Sequence, residues 1–237
     1  MTFMLAGALQ RWSNLVFGGT CYLCRGAAEA LLCPLCDADL PRLAGSLCPR
    51  CALPSPGSAV CGACLARPPR YDATVAALAY RFPADVLVQA LKFRGELALA
   101  PLLGALLAAR LADAAPVRWI VPVPLSRARL AERGFNQALE IARPLARATG
   151  AQLAPELCER ARDTPAQAEL ALAARATNVR GAFRSPRLIA AETVAVVDDV
   201  MTSGATLDEI ARTLKAAGAA RVVNWVLART PPPDALA

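Results

Sequence analysis

The chain of 237 residues contains no histidine, and of its 26 basic residues only Lys92 and Lys215 are lysine. Without an imidazole, Ser-His-Asp and Cys-His nucleophile pairs are excluded, as is any metal site with an imidazole ligand. An enzyme built on this sequence must work with carboxylates, arginines or a metal. Long apolar runs are also missing. Cys51 to Ala66 is uncharged but broken by prolines and glycines, and Leu97 to Ala109 falls short of the roughly 20 residues that span a bilayer. The apolar opening Met1 to Leu9 has no basic residue before it, and Arg11 and Trp12 follow without a small-residue cleavage pattern. It reads as a helix packed on its own domain, and the expectation is a soluble, cytoplasmic protein with no membrane span.

With 56% hydrophobic and 19% charged residues the chain suits one ordinary domain plus a small one. The formal net charge of +7 favours anionic ligands, phosphates or nucleic acid among them. The charge is uneven: residues 118 to 187 hold twelve arginines against six carboxylates, while 71 to 117 are balanced. Solvated helix faces account for part of that excess, and the rest points to an anion handled by the middle of the chain.

Cysteine is abundant and patterned. Eight of nine fall into four Cys-x-x-Cys pairs: Cys21 and Cys24, Cys33 and Cys36, Cys48 and Cys51, Cys61 and Cys64. Two thiolates on such a tight turn match the bite of tetrahedral zinc, with Zn–S near 2.3 Å, and two turns close one site. Four turns imply two structural Zn2+ ions. Pro34, Pro49, Gly62 and Gly26 suit the turns. A disulfide framework needs an oxidising compartment, and a redox pair would not come in fours. Sequential pairing needs closures of only eight and nine residues and is favoured over a cross-braced arrangement, which needs longer ones. Residues 1 to 70 carry six basic and three acidic side chains, an excess that eight thiolates on two zinc ions would turn to −1. The metal-loaded segment is then no basic nucleic-acid reader. Cys158 stands apart as a buried thiol.

Pro68 and Pro69 mark a linker, giving a zinc-ribbon domain with its N-terminal helix over 1–70 and a second domain over 71–237. Beyond the linker, apolar runs alternate with helical periodicity. The pattern predicts strands at Thr74–Tyr80, Trp119–Val123, Leu153–Cys158, Thr193–Val197 and Val222–Leu227. Helices are predicted at Ala84–Lys92, Leu97–Ala112, Asn136–Ala148, Leu170–Ala176 and Thr206–Ala217. This alternation indicates an α/β fold, a parallel sheet flanked by helices.

The sharpest chemistry lies at Val194 to Thr206. An apolar strand ends in Asp198 and Asp199, and the turn Met201-Thr202-Ser203-Gly204-Ala205-Thr206 opens a helix, so that backbone N–H groups and the positive helix end converge on one point. Gly204 allows close backbone approach, and Thr202, Ser203 and Thr206 offer hydroxyls. The acidic pair suits sugar hydroxyls or a divalent cation. A bland reading makes both aspartates simple caps, but the site sits at the carboxyl end of a parallel strand, where α/β sheets place ligands.

This segment resembles the 5-phosphoribosyl-1-diphosphate (PRPP) motif of type I phosphoribosyltransferases. With Val121 to Leu125, Arg127, Arg129, Arg133 to Gln137, Arg160, Thr164, Gln167, Arg175, Asn178 to Phe183, the segment Leu91 to Gly95 and the cysteine pairs, the chain resembles the ComF family of competence-associated proteins. That resemblance implies a type I phosphoribosyltransferase-like domain behind a double zinc ribbon, and a role in DNA uptake. It implies that Met201 to Thr206 hold the 5-phosphate, that Asp198 and Asp199 meet the ribose hydroxyls, and that the Pro122 to Arg127 turn lies near the diphosphate. Arg160 to Arg175 would form a mobile lid. Lys92, Arg127 or Arg133 would meet the Mg2+-bound diphosphate, with Arg162 or Arg175 closing over it. Ser203 stands where such motifs often have a second threonine. Three functions follow: a PRPP-binding module whose basic face contacts single-stranded DNA, an active Mg2+-dependent transferase on an unidentified base or amine, or a scaffold docking a competence helicase through its ribbons.

Overall fold

The computed structural model describes residues 19–162 and 179–231. The helices expected before Phe17 and at Leu170–Ala176, together with Thr164, Gln167, Arg175 and Asn178, lie outside the described residues.

Two short helices, α1 (Pro34–Ala38) and α2 (Gly62–Ala66), belong to the cysteine-rich segment. They are followed by β1 (Ala73–Ala79), α3 (Ala84–Arg94), α4 (Ala100–Arg110), β2 (Trp119–Pro122), α5 (Arg127–Arg133), α6 (Gln137–Thr149) and β3 (Gln152–Leu153). The chain continues through β4 (Glu159–Arg160), β5 (Phe183–Arg184), β6 (Thr193–Met201), α7 (Ala205–Ala216) and β7 (Arg221–Arg229). Five strands form one sheet in the order β1-β7-β6-β2-β3, every neighbouring pair parallel. β4 and β5 form a separate antiparallel pair.

Both sheet faces are apolar and both are covered, as an all-parallel sheet requires. On one face Leu87 and Leu91 of α3, Leu103 and Leu107 of α4, and Ile141 and Leu145 of α6 pack with Ile120, Ala195, Val197 and Leu227. On the other, Leu207, Ile210 and Leu214 of α7 join Val121, Val194, Val196 and Val226. Helices α4 and α6 approach closely because Gly104 faces the Pro144 ring, and a methyl group there would collide with it.

Strand β1 would leave a free edge, a template for unwanted pairing. Residues 41–43, between the cysteine clusters, cover it: Leu43 N–H donates to Ala77 O at 2.9 Å and Ala79 N–H to Pro41 O at 2.7 Å. The cysteine-rich segment thus contributes to both cores, with Cys21, Leu32 and Leu40 on the α3 face and Cys48, Cys51 and Cys64 on the α7 face.

Three sequence expectations need correction. The strand expected over Leu153–Cys158 stops at Leu153 and gives way to a 3-10 turn at Pro155–Leu157, because Pro155 has no N–H for a ladder. The helix expected from Leu97 starts as a 3-10 turn, and the α-helix begins at Ala100, with Pro101 in its first turn. The central strand does not end at Val197. Its ladder with β7 continues through Asp198↔Val226 and Val200↔Ala228 to Met201↔Arg229, so the acidic pair lies inside the strand. Helix α5 was not anticipated: Ser126 Oγ accepts the Arg129 N–H at 3.3 Å and Gly134 ends the helix, leaving only residues 123–126 as the turn after β2.

Candidate functional site

The eight paired cysteines form two groups, Cys21, Cys24, Cys33 and Cys36, and Cys48, Cys51, Cys61 and Cys64, with the sulfurs of each group within 4.8 Å of one another. The grouping is sequential. Each cluster is built alike: a turn closed by a β-bridge (Thr20 to Ala27, Leu47 to Pro54), then a short helix whose N-cap is the third cysteine, Cys33 or Cys61. Backbone donors converge on the sulfurs, as when Cys36 N–H meets Cys33 Sγ at 3.5 Å and Cys61 N–H meets Cys48 Sγ at 3.3 Å. Hydrogen bonds from the backbone of Cys24 and Cys33 pull the Cys21 thiol down to about 6. Burial and the neighbouring sulfurs push Cys36 up to about 12. Four thiolates this close repel one another, and a tetrahedral dication relieves that repulsion. These are closed, structural zinc sites in donor type and number. Cys158 lies apart, pushed up to about 12 by burial and then by Glu159.

The second centre is the carboxyl end of β6. Consecutive strand residues face opposite ways, so Asp198 and Asp199 start from opposite faces of β6, although their carboxyls still reach each other. Asp199, 3% exposed, points toward α3 and α6. Lys92 Nζ lies 3.1 Å from its Oδ2 as an ion contact outside hydrogen-bond geometry, and Gln137 Nε2 donates to its Oδ1 at 3.5 Å. Burial by itself would raise Asp199, but the Lys92 ammonium holds it below the usual carboxylate range. Asp198 instead lines a small depression with Thr202, Ser203, Gly204 and Thr206. Burial, followed by the charge of Asp199, pushes Asp198 well above the ordinary range. One carboxylate is therefore fixed and ionised while its neighbour faces the loop and keeps its proton to higher pH.

The loop turns at Gly204, whose φ of +81° lies in the left-handed region, so that any other side chain there would be strained. A Cβ there would stand 2.7 Å from Met201 Cε and 3.0 Å from Tyr71 Oη. Gly204 at the N-cap brings no side chain to cap α7, and the N–H of Ala205 at its first position donates to Ser203 Oγ at 3.4 Å; a helix start of this kind suits an anion.

Two residues of this region escaped sequence reading. Tyr71, first after the linker, is buried against Gly204, and its carbonyl accepts from Arg50 Nη1 at 3.0 Å. Arg229 at the end of β7 is 6% exposed and donates to four backbone carbonyls. The only sequence signal for Arg229 was its place between an apolar strand and Thr230-Pro231, one arginine among many.

The other expected residues divide. Arg133 donates to Gln137 Oε1, joining the Asp199 network, and its guanidinium lies 5.5 Å from the ring of Phe93. Phe93 is 69% exposed and has Lys92 Nζ 5.8 Å from its ring. Lys92, expected at the diphosphate, pairs with Asp199. Arg127 is exposed at the start of α5, outside this network among the described residues. Arg162 donates to Arg180 O at 2.8 Å and, with the β4–β5 pair, closes the base of the segment that carries the expected lid. Arg160 lies 5.5 Å from the Phe183 ring.

Two known families match separate parts of the chain. Residues 12–65 match the double zinc ribbon domain family and residues 104–233 the phosphoribosyl transferase domain family. The DNA utilization protein YhgH of Salmonella typhi is 38% identical over 226 residues, covering 91% of this chain and 99% of that protein. The Escherichia coli K12 protein of the same name is 37% identical over the same coverage. Competence protein F of Haemophilus influenzae is 33% identical over 178 residues, 71% of this chain and 78% of its own. No helix among the described residues is long and apolar enough to cross a membrane.

Proposed function

The chain belongs to the ComF family of phosphoribosyltransferase-domain proteins with a double zinc ribbon, and from this premise we propose that it binds PRPP with Mg2+ and couples that binding to single-stranded DNA. The observation that carries the reading is the shared depression: Asp198 and the Thr202–Thr206 turn face one point at the carboxyl end of the central strand. In this reading residues 201–206 take the 5-phosphate through amides and hydroxyls. Asp198 accepts from a ribose hydroxyl, and Asp199, held by Lys92 and Gln137, supplies the second acceptor. Mg2+ would neutralise the diphosphate, helped by Arg127 and Arg133. Such chemistry relies on positioning and charge, so the missing histidines are no obstacle.

The DNA part of the reading rests on the relatives' names and on exposed Phe93 beside Arg133 and Lys92. A base can stack on such a ring while the cations track phosphates. A helicase partner would dock on the first ribbon, where Leu31 and Leu35 are exposed. Eight thiols that must stay reduced to hold zinc support a cytoplasmic location.

The test is calorimetry and thermal melting of the zinc-loaded chain with Mg·PRPP, beside the Asp198→Asn/Asp199→Asn variant. Ligand at 100 times its Kd should add about 2.7 kcal/mol to the wild type, and the variant should lose that gain. No shift in the wild type overturns the PRPP reading. In parallel, oligothymidylate binding should weaken with salt and lose about 1–3 kcal/mol in Phe93→Ala. Salt-independent binding would remove the DNA part. Diphosphate release on adding bases or amines would extend the reading to catalysis.

A further inference from the structure

We propose that Arg229 is a positioning residue through which the second cysteine cluster sets the shape of the phosphate loop. The proposal rests on the PRPP reading for its ligand but not for its geometry. Arg229 Nε donates to Cys51 O at 2.8 Å, and Cys51 is a member of the second cluster. From the same guanidinium Nη1 donates to Met201 O at 2.9 Å, to Thr202 O, and to Thr230 O at 3.0 Å. One rigid plane therefore joins the zinc knuckle to the two peptides that enter the loop.

The consequence follows from peptide geometry. In a planar trans peptide the C=O and N–H point opposite ways. Holding the carbonyls of Met201 and Thr202 toward Arg229 turns the amides of Thr202 and Ser203, two residues that line the depression, away from it. The arginine presents donors on one side and thereby aims donors on the other.

The electrostatics fit as well. Among the described residues no carboxylate bonds to this buried cation, and a buried guanidinium needs an opposing charge. A zinc ion with four thiolates carries a net charge of −2, which supplies it next to Cys51 and Cys64. Metal at the second cluster and the loop conformation are then linked through a single side chain. Tyr71, clamped by Arg50 of the same knuckle and packed against Gly204, backs the loop from the same direction.

The experiment uses the full-length zinc-loaded chain and the variants Arg229→Gln, Arg229→Lys, Cys64→Ser and Arg229→Gln/Cys64→Ser. It reads Mg·PRPP affinity by calorimetry well below every melting midpoint, and hydrogen exchange of the amides at residues 202–206. Hydrogen bonds from a charged donor are lost in Arg229→Gln, so affinity should fall about tenfold or more and loop exchange should rise by a similar factor. Arg229→Lys, which keeps the charge without the planar fork, should recover part of both. Cys64→Ser should have the same effect as Arg229→Gln, and the double variant should be no worse than the more severe single one, since both cut the same link.

Arg229→Gln with a lower melting point but unchanged affinity and unchanged loop exchange would overturn the proposal, as would losses that multiply in the double variant. If Cys64→Ser does not fold, the Gln and Lys variants decide by the same readings. If the wild type fails to bind Mg·PRPP while loop exchange still rises in Arg229→Gln, the ligand assignment fails and the tether stands.

Discussion

The two cysteine clusters are built by the same local rules and embedded differently. In the first, only Cys21 is buried and Cys24 is exposed; in the second, Cys48, Cys51 and Cys64 are all buried. The first is tied to the segment covering β1 by Arg42, which reaches Asp37 of α1 at 2.8 Å across a pair that is nearly half exposed. The second is tied to the central strands by Arg229, almost wholly buried. Identical metal chemistry thus serves as a peripheral clip in one place and as the footing of the phosphate loop in the other. A bond's surroundings, more than its type, decide its worth: an exposed ion pair contributes about 0–1 kcal/mol, whereas an unsatisfied buried charge costs several.

Metal removal is the strongest way to break the comparison. Structural zinc contributes apparent binding energies of about 10–16 kcal/mol in small domains, so chelation should abolish cooperative unfolding of the ribbons. Cys64→Ser should lower the melting temperature more than Cys24→Ser, because it opens a shared core as well as a metal site. Differential scanning calorimetry with metal analysis checks this, and equal losses at the two clusters would erase the distinction drawn above.

A smaller effect lies between the faces, at Lys92. Asp199 is held low by Lys92, so the contribution of this pair is present above the ordinary carboxylate pKa and is lost as pH falls through the depressed value. Lys92→Met removes the counter-charge, and burial then raises Asp199. Its folded-state pKa would lie above the unfolded one, so the penalty grows as pH rises. The expected cost is about 2–3 kcal/mol near neutral pH, less than for a fully enclosed pair because the Lys92 side chain is 28% exposed. The gap from wild type should narrow as pH falls from neutral toward the ordinary carboxylate range in urea unfolding. A gap that does not change with pH would mean that Lys92 acts by packing alone.

The smallest effect is expected at the first cluster's own tether. Asp37→Ala removes a pair whose side chains are 44% and 43% exposed, and unfolding free energy should change by about 0.5 kcal/mol or less, less still at high salt. A loss as large as that of Arg229→Gln would show that the first cluster is as deeply coupled as the second.

Much of this organisation was legible before any coordinates. Cys-x-x-Cys spacing is a local property, and a closure of eight or nine residues favours a neighbouring pair over a distant one. The loop from Met201 to Thr206 was equally legible, because a glycine turn between an apolar strand and an amphipathic helix is written in consecutive residues. The strand end was misjudged because Asp198 and Asp199 look like a terminus, while the ladder is decided by β7, equally long and more than twenty residues away. Helix α5 was missed because its stability comes from the Ser126 cap and the Gly134 stop rather than from an apolar stripe.

By itself the sequence determined the two cysteine clusters, the alternating strands and helices, the glycine turn after the central strand and the family, all of which depend on short spacing or on a chemistry that few residue types can perform. Tertiary structure alone decided that Asp198 and Asp199 face different partners, that residues 41–43 cover the edge of β1, and that one arginine of many joins the second zinc knuckle to the loop. Those outcomes depend on which distant backbone atoms converge on a side chain, and convergence is set by the packing of the whole sheet rather than by any neighbour in the chain.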